Sequence, residues 1–235
     1  MKTFSMVELQ VYFRLDPSEE HQVAPGITVS RCGGPLLPFC QLIINAMNET
    51  GRILEERHHR TLGDYIVSTV ASLRSSGKPG VASGLVADLA STLPTFSDQA
   101  MYEQSHEVSF ARKAQRLVSD LHETLQEQDE RFQFEDVDQI SLDSGNAATA
   151  ALCRSGVIQL PDDLSSVVGS LQDGEPGDGE LALRAAVVTA GHDAARASGG
   201  AFSARELGYY LLSKAGDGDG PEGPQAYLTH GSAAY

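Results

Sequence analysis

The sequence predicts a mainly α-helical fold, and three observations carry that expectation. Ser or Thr stands three residues ahead of an acid at Ser5/Glu8, Thr61/Asp64 and Ser203/Glu206, the pattern that opens helices. Apolar residues recur at helical spacing in several windows. Long runs that alternate apolar and polar residues are missing, and only 27–30 and 140–142 have a faint strand character.

Taken in order, the first helix starts after Ser5 and ends near Arg14, ahead of Pro17. A Gly- and Pro-rich loop is expected as far as Pro35. Across 36–56, Phe39, Leu42, Ile43, Ala46, Met47, Ile53 and Leu54 mark a helix with a broad buried face, weakened in the middle by Gly51. Tyr65, Ile66, Thr69, Val70 and Leu73 form the stripe of the next helix, which stops before Gly77. Another runs across 81–93 and is ended by Pro94. The strongest amphipathic segment is 107–127, with Phe110, Ala114, Leu117, Val118, Leu121 and Leu125 on one side and charges mainly on the other. A small-residue helix is expected over 146–154, and a further one from Pro161, Asp162 and Asp163, where a fixed φ and negative charge suit a first turn. Residues 173–180 read as a Gly- and acid-rich loop before an Ala-rich helix over 181–197. The last helix follows Ser203, with Leu207, Tyr210 and Leu211 on its core side, and 216–224 reads as a flexible loop. The whole of 1–235 reads as a single helical domain.

The 235 residues are sufficient for a substantial core, and 41% hydrophobic with 21% charged residues is ordinary globular usage. The net charge of -15 disfavours direct binding to nucleic acid. Much of the charge is local: 119–180 holds fifteen acids against Arg131 and Arg154. Cys32, Cys40 and Cys153 lack both CxxC pairing and matching His spacing, which argues for reduced structural thiols and against a disulfide framework or a zinc site. Glu8 and Arg14 interrupt the apolar core a signal peptide needs, and 36–47 is too short and too broken by Pro38 and Gln41 to span a bilayer. A cytoplasmic chain without membrane contact is expected.

Several chemical motifs fail on spacing. Gly77-Lys78 lacks the upstream glycine of a phosphate loop, since Ser72 holds that position, and Pro79 stands where a Ser or Thr would hold magnesium. Asp217 and Asp219 begin like a calcium loop, but Pro221 and Leu228 occupy later ligand positions. His58 and His59 are adjacent and so splay about 100° apart on a helix, which suits solvated surface residues better than a shared ion. The sequon at Asn48 falls within an expected helix of a cytoplasmic chain and is not expected to be glycosylated.

Blocks in series carry a family resemblance. Asn48-Glu49-Thr50-Gly51-Arg52-Ile53-Leu54 is similar to an Asn-Glu-Thr-Gly-Lys-Ile-Leu block. Phe96 lies in a stretch like Phe-Pro-Ser-Tyr, and 108–118 resembles Val-Ser-Phe-Tyr-Lys-Arg-Ala-Gln-x-Leu-Val. The order continues through 136–164 into Leu207-Gly208-Tyr209-Tyr210-Leu211. These blocks belong to the queuosine salvage proteins, the queuosine 5'-phosphate N-glycosylase/hydrolase family. The chain corresponds to the C-terminal two-thirds of that family, and a truncated protein is expected, because the family's N-terminal third, which adds aromatic residues to the substrate pocket, has no counterpart. The resemblance implies a helical fold similar to helix-hairpin-helix DNA glycosylases and hydrolysis of queuosine 5'-phosphate to queuine, for salvage into tRNA modification. It implies neither a metal nor an organic cofactor, and a small nucleotide as the partner.

Cleavage of an N-glycosidic bond builds positive charge on the ribose, so the reaction needs a fixed carboxylate beside the anomeric carbon. In the family this acid lies in Phe-Ala-Asp-Tyr-Arg-x-Pro-Gln. Ungapped alignment places Asp143 on the Phe and Gly145 on the Asp, which leaves the nucleophile position empty. Asp143, two residues early, either serves as the catalytic carboxylate after a loop shift of roughly 6 Å or caps the turn before the helix. The family's Leu-Asp-Tyr-Tyr-Leu-Trp-Asp falls on 207–213, where Gly208 and Ser213 replace both acids. Tyr209 matches a base-contacting position and Tyr210 reads as either a substrate contact or a core residue. Lys113 and Gln115 match the long-helix block, as pocket-lining residues or, for Lys113, as a side chain whose stem covers apolar surface. Three functions stay open: the hydrolase, a catalytically inactive or partial paralogue that binds a ligand or protein, and an acidic module that meets a basic partner through 119–180.

Overall fold

The computed structural model describes residues 3–77, 80–160 and 177–215. Its elements are α1 (Met6–Phe13), β1 (Ser18–Ala24), β2 (Ile27–Cys32), α2 (Leu37–Glu56), α3 (Leu62–Ser75), α4 (Val81–Thr92), β3 (Gln99–Tyr102), β4 (His106–Ser109), α5 (Arg112–Leu125), α6 (Asn146–Arg154), α7 (Asp178–Ala197) and α8 (Ala204–Ala215). Short 3-10 turns cover Pro94–Phe96, Glu130–Phe132 and Val137–Gln139. The protein is mainly α-helical, with the strands confined to two small antiparallel hairpins among the described residues. The chain divides into two compact units, residues 1–65 with 93–95 and residues 66–92 with 96–235.

In the first unit the capping box at Ser5 forms as expected: Ser5 Oγ accepts from the Glu8 backbone N–H, and Glu8 accepts from the Ser5 N–H. Arg14, in the left-handed conformation, ends α1. Leu9, Cys40 and Ile44 form the buried contact of α1 with α2. Asn48 on α2 fastens the chain start with both ends of its amide, accepting from the Phe4 N–H (2.6 Å) and donating to the Phe4 carbonyl (3.0 Å). Thr50 is buried beside Thr95, with hydroxyls 3.0 Å apart. The expected loop before residue 35 is instead the β1–β2 hairpin, paired from Ser18 with Cys32 to Ala24 with Ile27. Every residue of β2 is exposed, so neither face carries the alternation that marks a half-buried strand in sequence.

The second unit holds the main core, in which Leu142, Ala148, Leu152, Val187 and Ala204 bury together from α6, α7, α8 and the segment before α6. The faint strand character at 140–142 does not become a strand; these residues lead extended into this core, with Leu142 buried. Gly191 sets how closely α7 approaches. A Cβ there would stand 2.6 Å from Leu142 Cβ, and such overpacking of a rigid contact costs about 1–3 kcal/mol. Gly191→Ala is expected to lower the unfolding free energy by that amount, read from the shift of the urea midpoint.

The 107–127 segment is divided: 106–109 pairs as β4 with β3, and the helix begins only at Arg112. Ala111, at φ 46°, offers no side-chain cap, and Asp98 supplies one from across the fold by accepting the Arg112 N–H (3.2 Å). Asp98 also receives both terminal nitrogens of Arg184, which is buried on α7 and lies 4.1 Å above the Phe110 ring. Asp136 caps α4 similarly, accepting from the N–H groups of Ala82 and Ser83 (each 2.9 Å) and from the Ser83 hydroxyl. Burial pushes its carboxyl up, but the Ser83 and Ala82 donors together hold it below the ordinary value of 3.8. A depressed carboxyl pKa stabilises the fold above the unfolded pKa, and the contribution fades as pH falls through the folded one. Asp136→Ala is expected to cost about 1 kcal/mol at neutral pH, the usual worth of a helix cap, and less at acidic pH, as the carboxyl takes up its proton. Urea titrations at neutral and acidic pH check this.

Two further expectations change. Residues 178–180 belong to α7 and not to the loop expected over 173–180, since Asp178 and Glu180 suit the first turn of a helix. Tyr210 is 59% exposed and not a core residue. Ala204, Leu207, Gly208 and Leu211 make the inward stripe of α8, and Tyr210 lies two positions past Gly208, on the far side. The expected helix at Pro161 and the expected loop at 216–224 lie outside the described residues. Among the described residues, no helix is long and apolar enough to cross a membrane.

Candidate functional site

A narrow cleft in the second unit is framed by α5, the 140–144 segment and α8. Arg112, Gln115, Arg116 and Ser119, spaced i, i+3, i+4 and i+7, turn the polar face of α5 into it. Gln115 is a clamp: its amide donates to the Phe110 carbonyl (2.7 Å) and accepts from the Ser141 N–H (2.8 Å), tying the start of α5 to the segment that carries Asp143. Leu142, buried between them, anchors the same segment to the core.

Asp143 lines this cleft with its side chain 11% exposed. One carboxylate oxygen receives Arg112 Nε (2.5 Å) and the Gly145 N–H (2.8 Å), and the other lies 4.0 Å from Arg116. Both sequence readings of Asp143 therefore have a geometric counterpart: it closes the Asp143–Gly145 turn, and it faces a cleft. Gly145, which the resemblance aligned with the carboxylate position, has no room for a side chain as the residues stand. A Cβ there would lie 2.6–2.8 Å from the Arg112 guanidinium, which fills that space.

Tyr209 reaches the cleft from α8. Its hydroxyl donates to Asp120 (2.5 Å) and lies 3.0 Å from Ser119 Oγ; Arg116 stands 4.7 Å from the ring centroid and Arg205 5.9 Å. Burial, followed by the Asp120 hydrogen bond, raises the phenol pKa, so Tyr209 acts as a neutral donor and an aromatic surface. Arg205 is itself buried and pairs with Glu123 and Asp138. Gly208 faces the same segment, since a Cβ there would touch the Asp143 N–H nitrogen at 3.4 Å.

The structure thus brings Asp143, Tyr209 and Gln115 to one cleft. Lys113 and Tyr210 are not among the lining residues. Lys113 is half-buried, its ammonium pKa lowered by burial despite the opposing pull of Asp98, and Tyr210 faces outward. Arg112, Arg116 and Arg205 had no weight in the sequence reading. The signal for the first two was their i, i+4 spacing together with Gln115 and Ser119 on the face opposite the apolar stripe.

A carboxylate flanked by guanidinium groups thus lies beside an aromatic ring and several hydroxyls in one cleft of a mainly helical protein. Residues 19–198 match the family model described as queuosine salvage protein. The chain belongs to the queuosine salvage protein family and has a role in queuosine salvage. No curated protein matches it.

Proposed function

We propose that this protein hydrolyses the N-glycosidic bond of queuosine 5'-phosphate and releases queuine. The observation that carries the reading is Asp143, a carboxylate held by Arg112 and the Gly145 N–H at the wall of the cleft. Loss of the base leaves positive charge on the anomeric carbon, and a preorganised carboxylate stabilises that charge at no reorganisation cost. Tyr209 offers its ring to the base. Gln115 fixes the segment on which Asp143 sits, and a misplacement of 1 Å at a reacting centre weakens catalysis by about a hundred-fold.

A second reading, binding without hydrolysis, is favoured by one feature: Gly145 stands at the family's carboxylate position, and Arg112 both fills that space and engages Asp143. Incubation of the purified protein with queuosine 5'-phosphate separates the two. Release of free queuine supports hydrolysis. Calorimetric binding of the nucleotide with no release supports the second reading, and the absence of both defeats the two together.

A further inference from the structure

Ser141 lines the cleft two residues before Asp143, and its hydroxyl lies 3.2 Å from Nε2 of His192 on α7. Two separate features build this pair. The Ser141 backbone is held by Gln115, and His192 follows Gly191, the residue whose missing side chain lets α7 close on Leu142. The imidazole is exposed to solvent, whereas Ser141, the residue it meets, is partly buried and lines the cleft. An ionisable group that exchanges protons with water is thereby connected, through one hydroxyl, to the place where Asp143 sits. Neither the caps nor the core packing of the unit requires this contact.

From this geometry we infer that Ser141 and His192 carry the proton of the attacking water, on the reading that the cleft is a hydrolase site. Water oxygen bonds to the anomeric carbon as the carbon–nitrogen bond breaks, and its electron pair leaves on the base. The water proton passes to Ser141 Oγ while the Ser141 proton passes to His192 Nε2. The imidazolium then gives that proton to solvent, and the departing base takes one up. The net change is addition of water across the bond. Ser141 acts on the water directly, and His192 is a positioning residue that acts through it.

The test measures queuine release by the wild type, Ser141→Ala, His192→Ala and His192→Gln, with added imidazole as a further arm. Because His192 is exposed, its replacement leaves the melting temperature within a degree or two of the wild type, which a thermal melt checks. The expected result is a loss of roughly 100-fold in kcat for each variant, the usual scale of general acid–base help, with KM unchanged. Imidazole restores His192→Ala, since the site opens to solvent, but not Ser141→Ala. His192→Gln keeps a hydrogen-bonding side chain without a titratable group and stays slow. Wild-type kcat in Ser141→Ala or His192→Ala, or a slow His192→Ala that imidazole does not restore, overturns the proton role while leaving the hydrolase reading intact. A wild type that releases no queuine overturns both.

Discussion

Arg184→Met is expected to lower the unfolding free energy by about 3 kcal/mol, as breaking one partner out of a buried ion pair does. The wild-type Arg184 side chain is 2% exposed and that of Asp98 is 7% exposed, so the substitution strands a carboxylate that water reaches poorly. Two features make the loss large. Both terminal nitrogens of Arg184 bond Asp98, and the guanidinium also covers the Phe110 ring at 4.1 Å. The Arg112 N–H keeps part of the Asp98 charge satisfied, which is why the expected value sits at the low end of the range for broken buried pairs. Urea denaturation measures it, and Asp98→Asn in the Arg184→Met background should recover part of the loss, because the stranded charge is then gone. A loss below about 1 kcal/mol would mean that the pair is solvated and not a pillar of the fold.

The same pair reaches the cleft. Asp98 caps the helix that presents Arg112 and Arg116, and Phe110 lines the cleft beside them. Disturbing Arg184 should therefore loosen the Asp143 surroundings as well as the core.

Asp143→Asn is expected to slow queuine release by about a thousand-fold, the upper range for removing one preorganised group from a reacting centre. The amide retains an oxygen that can still accept the Gly145 N–H, so the turn survives. What disappears is the negative charge that faces the developing cation and pairs with Arg112. The melting temperature is expected to change far less than the rate. Rates from single turnovers isolate the chemical step from product release.

Most of the helices were legible because their apolar residues fall at helical spacing and their caps are local: Ser5 with Glu8 and Ser203 with Glu206 form as the sequence indicates. The hairpins were legible only in the faint strand character of 27–30, which falls within β2. In β2 no position is buried, and in β4 only Val108 is even partly covered, so the strands lack a hydrophobic period to detect. The start of α5 was misplaced for a different reason. Its cap is Asp98, fourteen residues upstream, and a tertiary cap leaves no local signature.

The site was legible in part. Tyr209 and Gln115 stood out through their place in the family's blocks, and Asp143 as the acid two residues short of the block's carboxylate position; the structure puts all three in one cleft. Lys113 carried a similar motif match but is half-buried outside the lining. Arg205 and His192 could not be found from sequence, because each acquires its meaning from a partner more than 50 residues away: Arg205 from Glu123 and His192 from Ser141. The role of Gly145 also emerged only in three dimensions, where the Arg112 guanidinium occupies the space of an absent side chain.

The most direct test of the central claim is the appearance of free queuine, followed by mass spectrometry, when the protein and its Asp143→Asn variant are each mixed with excess queuosine 5'-phosphate. Hydrolysis centred on Asp143 predicts multiple turnovers by the wild type and a rate about a thousand-fold lower in the variant. Equal rates in the two proteins, or no queuine from the wild type, would contradict it.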